Sequence, residues 1–185
     1  MENKSLAKAK EIFLRYGGSG FHMSREGEYE EYAKYKVSKE QEKEWLKEII
    51  DNKFDKLDID DEFSIFNFSY SIEHHSYFQY VPKFLDFLES NIDKIANQYY
   101  MILYGDYIFS LVENLWRGSR QDKFPRNLRI RCIYLAEEFA KRAKKMELDD
   151  NFKIPNYYQD IPQQAYVLQR IYDLDWKIQI AKILE

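Results

Sequence analysis

The sequence predicts an all-α protein. Three observations predict it: apolar residues recur at spacings of three and four along six segments, caps or stops bracket most of those segments, and strand-like alternation shows in only one. Six to eight helices with mostly short connections imply antiparallel neighbours. The architecture is then an irregular antiparallel helical bundle or a short HEAT-like stack of helical hairpins, and no repeat signature separates the two. Without a Pro, Gly or Ser-rich divider, residues 1–185 read as one domain.

Leu6, Ala9, Phe13 and Tyr16 form the first helical stripe, and Gly17-Gly18 supplies its stop. From 17 to 37 no long apolar period is visible, and four of the six glycines fall there, so this stretch reads as a Gly/Tyr-rich connection with at most one short helical turn. Ser38 followed by Gln41 has the form of a capping box, opening a helix whose stripe is Trp45, Leu46, Ile49, Ile50 and Phe54. Residues 63–80 are ambiguous, since Phe66, Phe68, Tyr70 and Ile72 alternate like a strand, whereas Asp60 or Asp61 as cap followed by Phe63, Phe66 and Tyr70 suits a helix; a lone strand would leave its backbone groups unpaired, so the reading is helix.

Pro82 sits well at a first helical position. The stripe from Leu85 to Ile102 is one long helix, or two that break near Ser90-Asn91, with Gly105 as the stop and Asp106 as the next cap. That next helix buries Leu111, Val112, Leu115 and Trp116. Pro125 opens a further helix with the stripe Leu128, Cys132, Leu135, Phe139, Ala143 and Met146. Residues 151–162, with two prolines and Tyr157-Tyr158, form a connection. The last helix buries Val167, Ile171, Leu174, Ile178 and Ala181.

A single cysteine, Cys132, excludes an intramolecular disulfide and fits a reducing compartment. The N-terminus lacks a signal-peptide core and no apolar run approaches the ~20 residues of a membrane span, so the expected location is cytoplasmic, without membrane contact. Residue types with AT-rich codons dominate, which points to a low-GC bacterial source. The formal net charge of −4 is uneven: residues 1–116 carry 14 basic and 22 acidic side chains, and the remainder 14 and 10.

Four constellations invite a chemical reading. Glu73-His74-His75 resembles a metal or acid/base cluster, but adjacent side chains point about 100° apart on a helix, so both rings cannot readily share a ligand. The glycines around Ser19 lack the Gly-Lys-Ser/Thr and the preceding strand of a phosphate cradle. No catalytic, cofactor or metal spacing is present. Arg117, Arg120, Lys123, Arg126, Arg129 and Arg131 fall within fifteen residues holding one acid, and could grip an anion; in an acidic chain, internal pairing is favoured over nucleic acid.

Phe21, His22, Arg25, Tyr29, Tyr32 and Tyr35 make the connection at 17–37 the expected contact surface for another protein, because long connections tend to be functional and tyrosines bind with little entropy loss. The expected function is therefore a non-enzymatic protein-binding module. In a low-GC bacterium one version is an immunity-type protein or regulatory adaptor, an analogy of class. The alternatives are a nucleic-acid-associated protein using Arg117 to Arg131, and an enzyme of unstated class using His22 or His74 and His75.

Overall fold

The computed structural model describes residues 2–116, 124–154 and 162–185, with side chains described at 4–113, 124–154 and 162–185. The fold is all-α, and no strand occurs among the described residues. Two compact units are formed, Met1–Lys56 and Leu57–Glu185.

The first unit contains α1 (Glu2–Arg15), α2 (Gly20–Arg25), α3 (Tyr29–Lys34) and α4 (Lys39–Phe54). Its core gathers Ala9, Ile12, Phe13, Met23, Tyr32 and Trp45. Ile12 takes the inward position in place of Leu6, which is exposed. The stop after α1 is a Schellman turn: the Gly18 N–H donates to Phe13 O at 2.9 Å and the Gly17 N–H to Leu14 O at 3.2 Å. Gly18 is needed twice over, because its φ is +77° and a Cβ there would stand 2.8 Å from Leu46 Cδ2.

The connection read at 17–37 is corrected by two six-residue helices, α2 and α3. Each is too short to display a hydrophobic period, which needs a window of about 11 to 18 residues. Ser19 caps α2, accepting from the His22 N–H at 3.3 Å, and Met23 pins it inward. Ser38 caps α4 as expected, accepting from the Gln41 N–H at 3.1 Å, while the Gln41 amide donates to Glu44 at 2.7 Å.

The second unit contains α5 (Glu62–His74), α6 (Val81–Asn91), α7 (Gln98–Trp116), α8 (Arg126–Ala143) and α9 (Gln163–Leu184), with 3-10 turns at Phe78–Tyr80 and Ile92–Lys94. Asp61 caps α5, accepting from the Phe63 N–H at 3.1 Å. The ambiguous segment is α-helical as far as His74, but its inward stripe is Ile65, Phe68 and Ile72, and Phe63, Phe66 and Tyr70 face outward. Helix α7 is central, packed by α8, α5 and α9, and buries Ile102, Tyr104, Ile108, Leu111 and Val112 completely. The side chains of Leu115 and Trp116 lie outside the described ones.

Gly105 does not end a helix. It lies within α7, where a Cβ would stand 2.9 Å from Leu174 Cδ2 on α9 and 3.2 Å from Phe139 Cβ on α8. The glycine is there for close helix approach, and Asp106, expected as a cap, pairs with Arg170. The cap of α7 is Asn97, whose Oδ1 accepts from the Tyr99 N–H at 2.8 Å and the Tyr100 N–H at 3.2 Å. Gln98, 1% exposed, donates to Ala143 O at 2.9 Å and Met146 O at 2.8 Å, satisfying carbonyls at the end of α8.

Candidate functional site

In the first unit, the aromatic residues of α2 and α3 divide into anchors and exposed rings. Tyr32 is 7% exposed, packs on Phe13 with ring centroids 6.0 Å apart, and donates to Glu42 Oε1 at 2.6 Å. Burial, together with the Glu42 carboxylate, pushes its phenol up. Tyr32 is thus a core residue rather than the contact residue that the sequence suggested. Tyr35 is half-buried and donates to Glu31 at 2.6 Å. Once this segment is helical, a ring must face the body at the spacing of Tyr32 and Tyr35.

Phe21, His22, Arg25 and Tyr29 stay on the surface, with Phe21 73% exposed. The Tyr29 ring lies over Gly20, its Cε2 3.5 Å from where a Cβ would stand, so Phe21 and Tyr29 flank one glycine. Arg25 pairs with Glu26 at 2.9 Å.

Of the basic segment, Arg117, Arg120 and Lys123 lie outside the described residues. The described arginines are engaged internally. Arg129 donates to Glu185 Oε1 at 2.6 Å and to Phe124 O at 2.8 Å, and Arg126 pairs with the same Glu185. Arg131 holds Asp86 and Glu89 at 2.5 and 2.6 Å. Their forks are committed to carboxylates and a carbonyl of the chain itself.

The His74 and His75 rings meet edge to face with centroids 4.8 Å apart, and His74 stacks on Tyr70 at 5.3 Å. Among the described residues, no three or more His, Cys, Asp or Glu side chains are grouped so as to hold a metal ion. Cys132 is buried within α8, and desolvation pushes its thiol up to about 12, the reverse of nucleophile activation.

Two helices of the second unit carry an outer apolar face. On α5, Phe63, Phe66, Tyr70 and His74 follow spacings of three, four and four and form a ladder: Phe66 stacks with Tyr70 at 6.0 Å, and Tyr70 with His74. Phe63 is 67% and Tyr70 52% exposed, while the opposite side of α5 buries Ile65, Phe68 and Ile72. On α9, Val167, Ile171, Leu174, Ile178 and Ala181 face the core as expected. The other side carries Leu168, Tyr172, Trp176 and Ile183, with Tyr172 64% and Trp176 67% exposed. Both helices are apolar on two opposed faces. Where both faces of a helix are apolar, period alone does not fix which one is buried: on α5 it singles out Phe63, Phe66 and Tyr70, which face outward, and on α9 the core stripe.

No described helix is long and apolar enough to cross a membrane. No family model matches the chain, and comparisons with curated proteins and with solved structures also found no match.

Proposed function

We propose that this chain is a protein-binding module that acts by contact rather than by catalysis, working in the cytoplasm as an adaptor. The observation that carries this reading is the second apolar face on α5 and on α9. Contiguous large apolar side chains left in water cost free energy, roughly 25 cal/mol per Å² of apolar area, and patches of this kind mark contact surfaces. Aromatic anchors with polar tips, such as Tyr70 and Tyr172, dominate binding energy in protein interfaces. Phe21 and Tyr29 supply a smaller contact of the same chemistry on the first unit. The nucleic-acid alternative draws less support, since Arg126, Arg129 and Arg131 are bound to carboxylates within the chain.

The test is affinity capture from a native lysate with the wild-type chain and with a Phe63→Ser, Tyr70→Ser variant. The wild type should retain a defined protein, and the variant about tenfold less of it, as expected for the loss of interface anchors. The variant's melting temperature should fall by no more than about 4 °C, because both side chains are largely exposed. Retention of no protein above a tag-only control would overturn the reading.

A further inference from the structure

We infer that the outer face of α9 is a self-pairing seam, on which a second copy of this chain lays its own α9 antiparallel. The inference rests on the reading that these outer faces are contact surfaces, and it names the partner for one of them.

The face is defined by Ala165, Leu168, Tyr172, Trp176, Gln179 and Ile183, at spacings of three, four, four, three and four, which keeps them on one side of a 22-residue helix about 33 Å long. None of the six is charged, in a chain that is 32% charged. The cations beside the face are already occupied: Lys182 pairs with Glu137 at 2.7 Å, Lys177 with Glu113 at 3.8 Å, Arg170 with Asp106 and Lys144 with Asp175. A neutral apolar strip with its neighbouring cations paired offers nothing to an acidic peptide or a phosphate backbone. Its complement is another neutral apolar strip.

The face is also complementary to itself. A two-fold axis at the level of position 174 sets Tyr172 opposite Trp176 of the second copy and the small Ala165 opposite the large Ile183. A parallel pairing would oppose Trp176 to Trp176 and leave Ala165 facing Ala165, a clash and a void on one seam. The antiparallel arrangement interleaves large with small.

The area suffices for a modest dimer. Aromatic side chains present roughly 150 to 250 Å² each, so at their observed exposures Leu168, Tyr172, Trp176 and Ile183 offer about 500 Å² per copy. The pair would cover about 1,000 Å², the lower bound of a specific interface; area alone does not set affinity, so the concentrations to search are those of a weak dimer, about 1 to 100 µM.

The experiment is sedimentation of the full chain over a concentration series spanning that range. We expect the mass to rise from 22.6 kDa towards twice that value. Trp176→Asp should raise the dissociation constant tenfold or more with an unchanged far-ultraviolet circular dichroism spectrum. A second readout does not depend on that variant: Ala165→Cys combined with Ile183→Cys should oxidise to a covalent dimer joined 165 to 183, while each single variant should not, and buried Cys132 stays out of the reaction. One-copy mass at every concentration, or a dimer joined 165 to 165, would overturn the seam. If Phe63 and Tyr70 still govern capture of another protein in that case, the protein-binding reading stands without it; a dimer that retains no other protein limits the contacts to the chain itself.

Discussion

Tyr32 and Tyr104 bury their rings, Tyr107 is half-buried, and each places its hydroxyl on a specific acceptor. Tyr32 donates to Glu42, Tyr104 to Ile59 O at 2.8 Å, and Tyr107 to Glu62. Burial is the largest cause that raises each phenol above its ordinary value. A phenol whose folded pKa exceeds its unfolded value of about 10 holds its proton better when folded. The stability it contributes is whole below pH 10 and is lost as pH rises above that, with a slope approaching about 1.4 kcal/mol per pH unit for each such group. Denaturant midpoints should therefore begin to fall near pH 9, where the Cys132 thiol ionises in the unfolded chain but stays protonated in its buried place, and fall more steeply above about pH 10 as the phenols join it. Tyr32→Phe should lower stability by about 1 kcal/mol, and Tyr32→Ala by about 3 to 5 kcal/mol, as for other buried aromatic truncations. An alkaline fall that starts only where the backbone of any protein fails, with Tyr32→Ala near neutral, would contradict the placement of these rings.

Helix α9 shows what was legible at the level of elements and what was not. Its five core residues were readable from period alone, as were the start of α8 after Pro125, the cap at Ser38 and the break after Asn91. Helices α2 and α3 were not, because their order depends on Met23 and Tyr32 reaching a distant core, a tertiary fact with no local period. Gly105 misled for a related reason, since a glycine that permits helix contact carries the same letter as one that ends a helix. The reading predicts the sign of Gly105→Ala. Helix propensity favours alanine by about 1 kcal/mol. A Cβ at 2.9 and 3.2 Å from Leu174 and Phe139 costs about 1 to 3 kcal/mol in strain. The net change should be a loss of up to about 2 kcal/mol, measurable by denaturant unfolding. A gain in stability would mean that the α7, α8 and α9 crossing is looser than described.

For the whole molecule, the candidate site was only partly legible. Phe21, His22, Arg25 and Tyr29 reach the surface as the sequence suggested and Tyr32 does not; the outer face of α9 leaves no sign in the sequence reading, and that of α5 reads there as the helix's apolar stripe. The ion pairs explain part of this: Arg126, Arg129 and Arg131 look free in sequence because their carboxylates are 42 to 59 residues away. The central claim is that apolar side chains of α5 and α9 stand in water in the isolated chain and are covered by protein when it works. Hydroxyl-radical footprinting read by mass spectrometry tests this at single residues. In dilute solution Phe63, Tyr70, Tyr172 and Trp176 should be oxidised far faster than the core residues Phe68 and Phe84. Tyr172 and Trp176 should become protected as the chain is concentrated, and Phe63 and Tyr70 when a captured partner is bound. Oxidation of all four at core-like rates in the dilute chain, or at rates that neither concentration nor partner changes, would contradict the account.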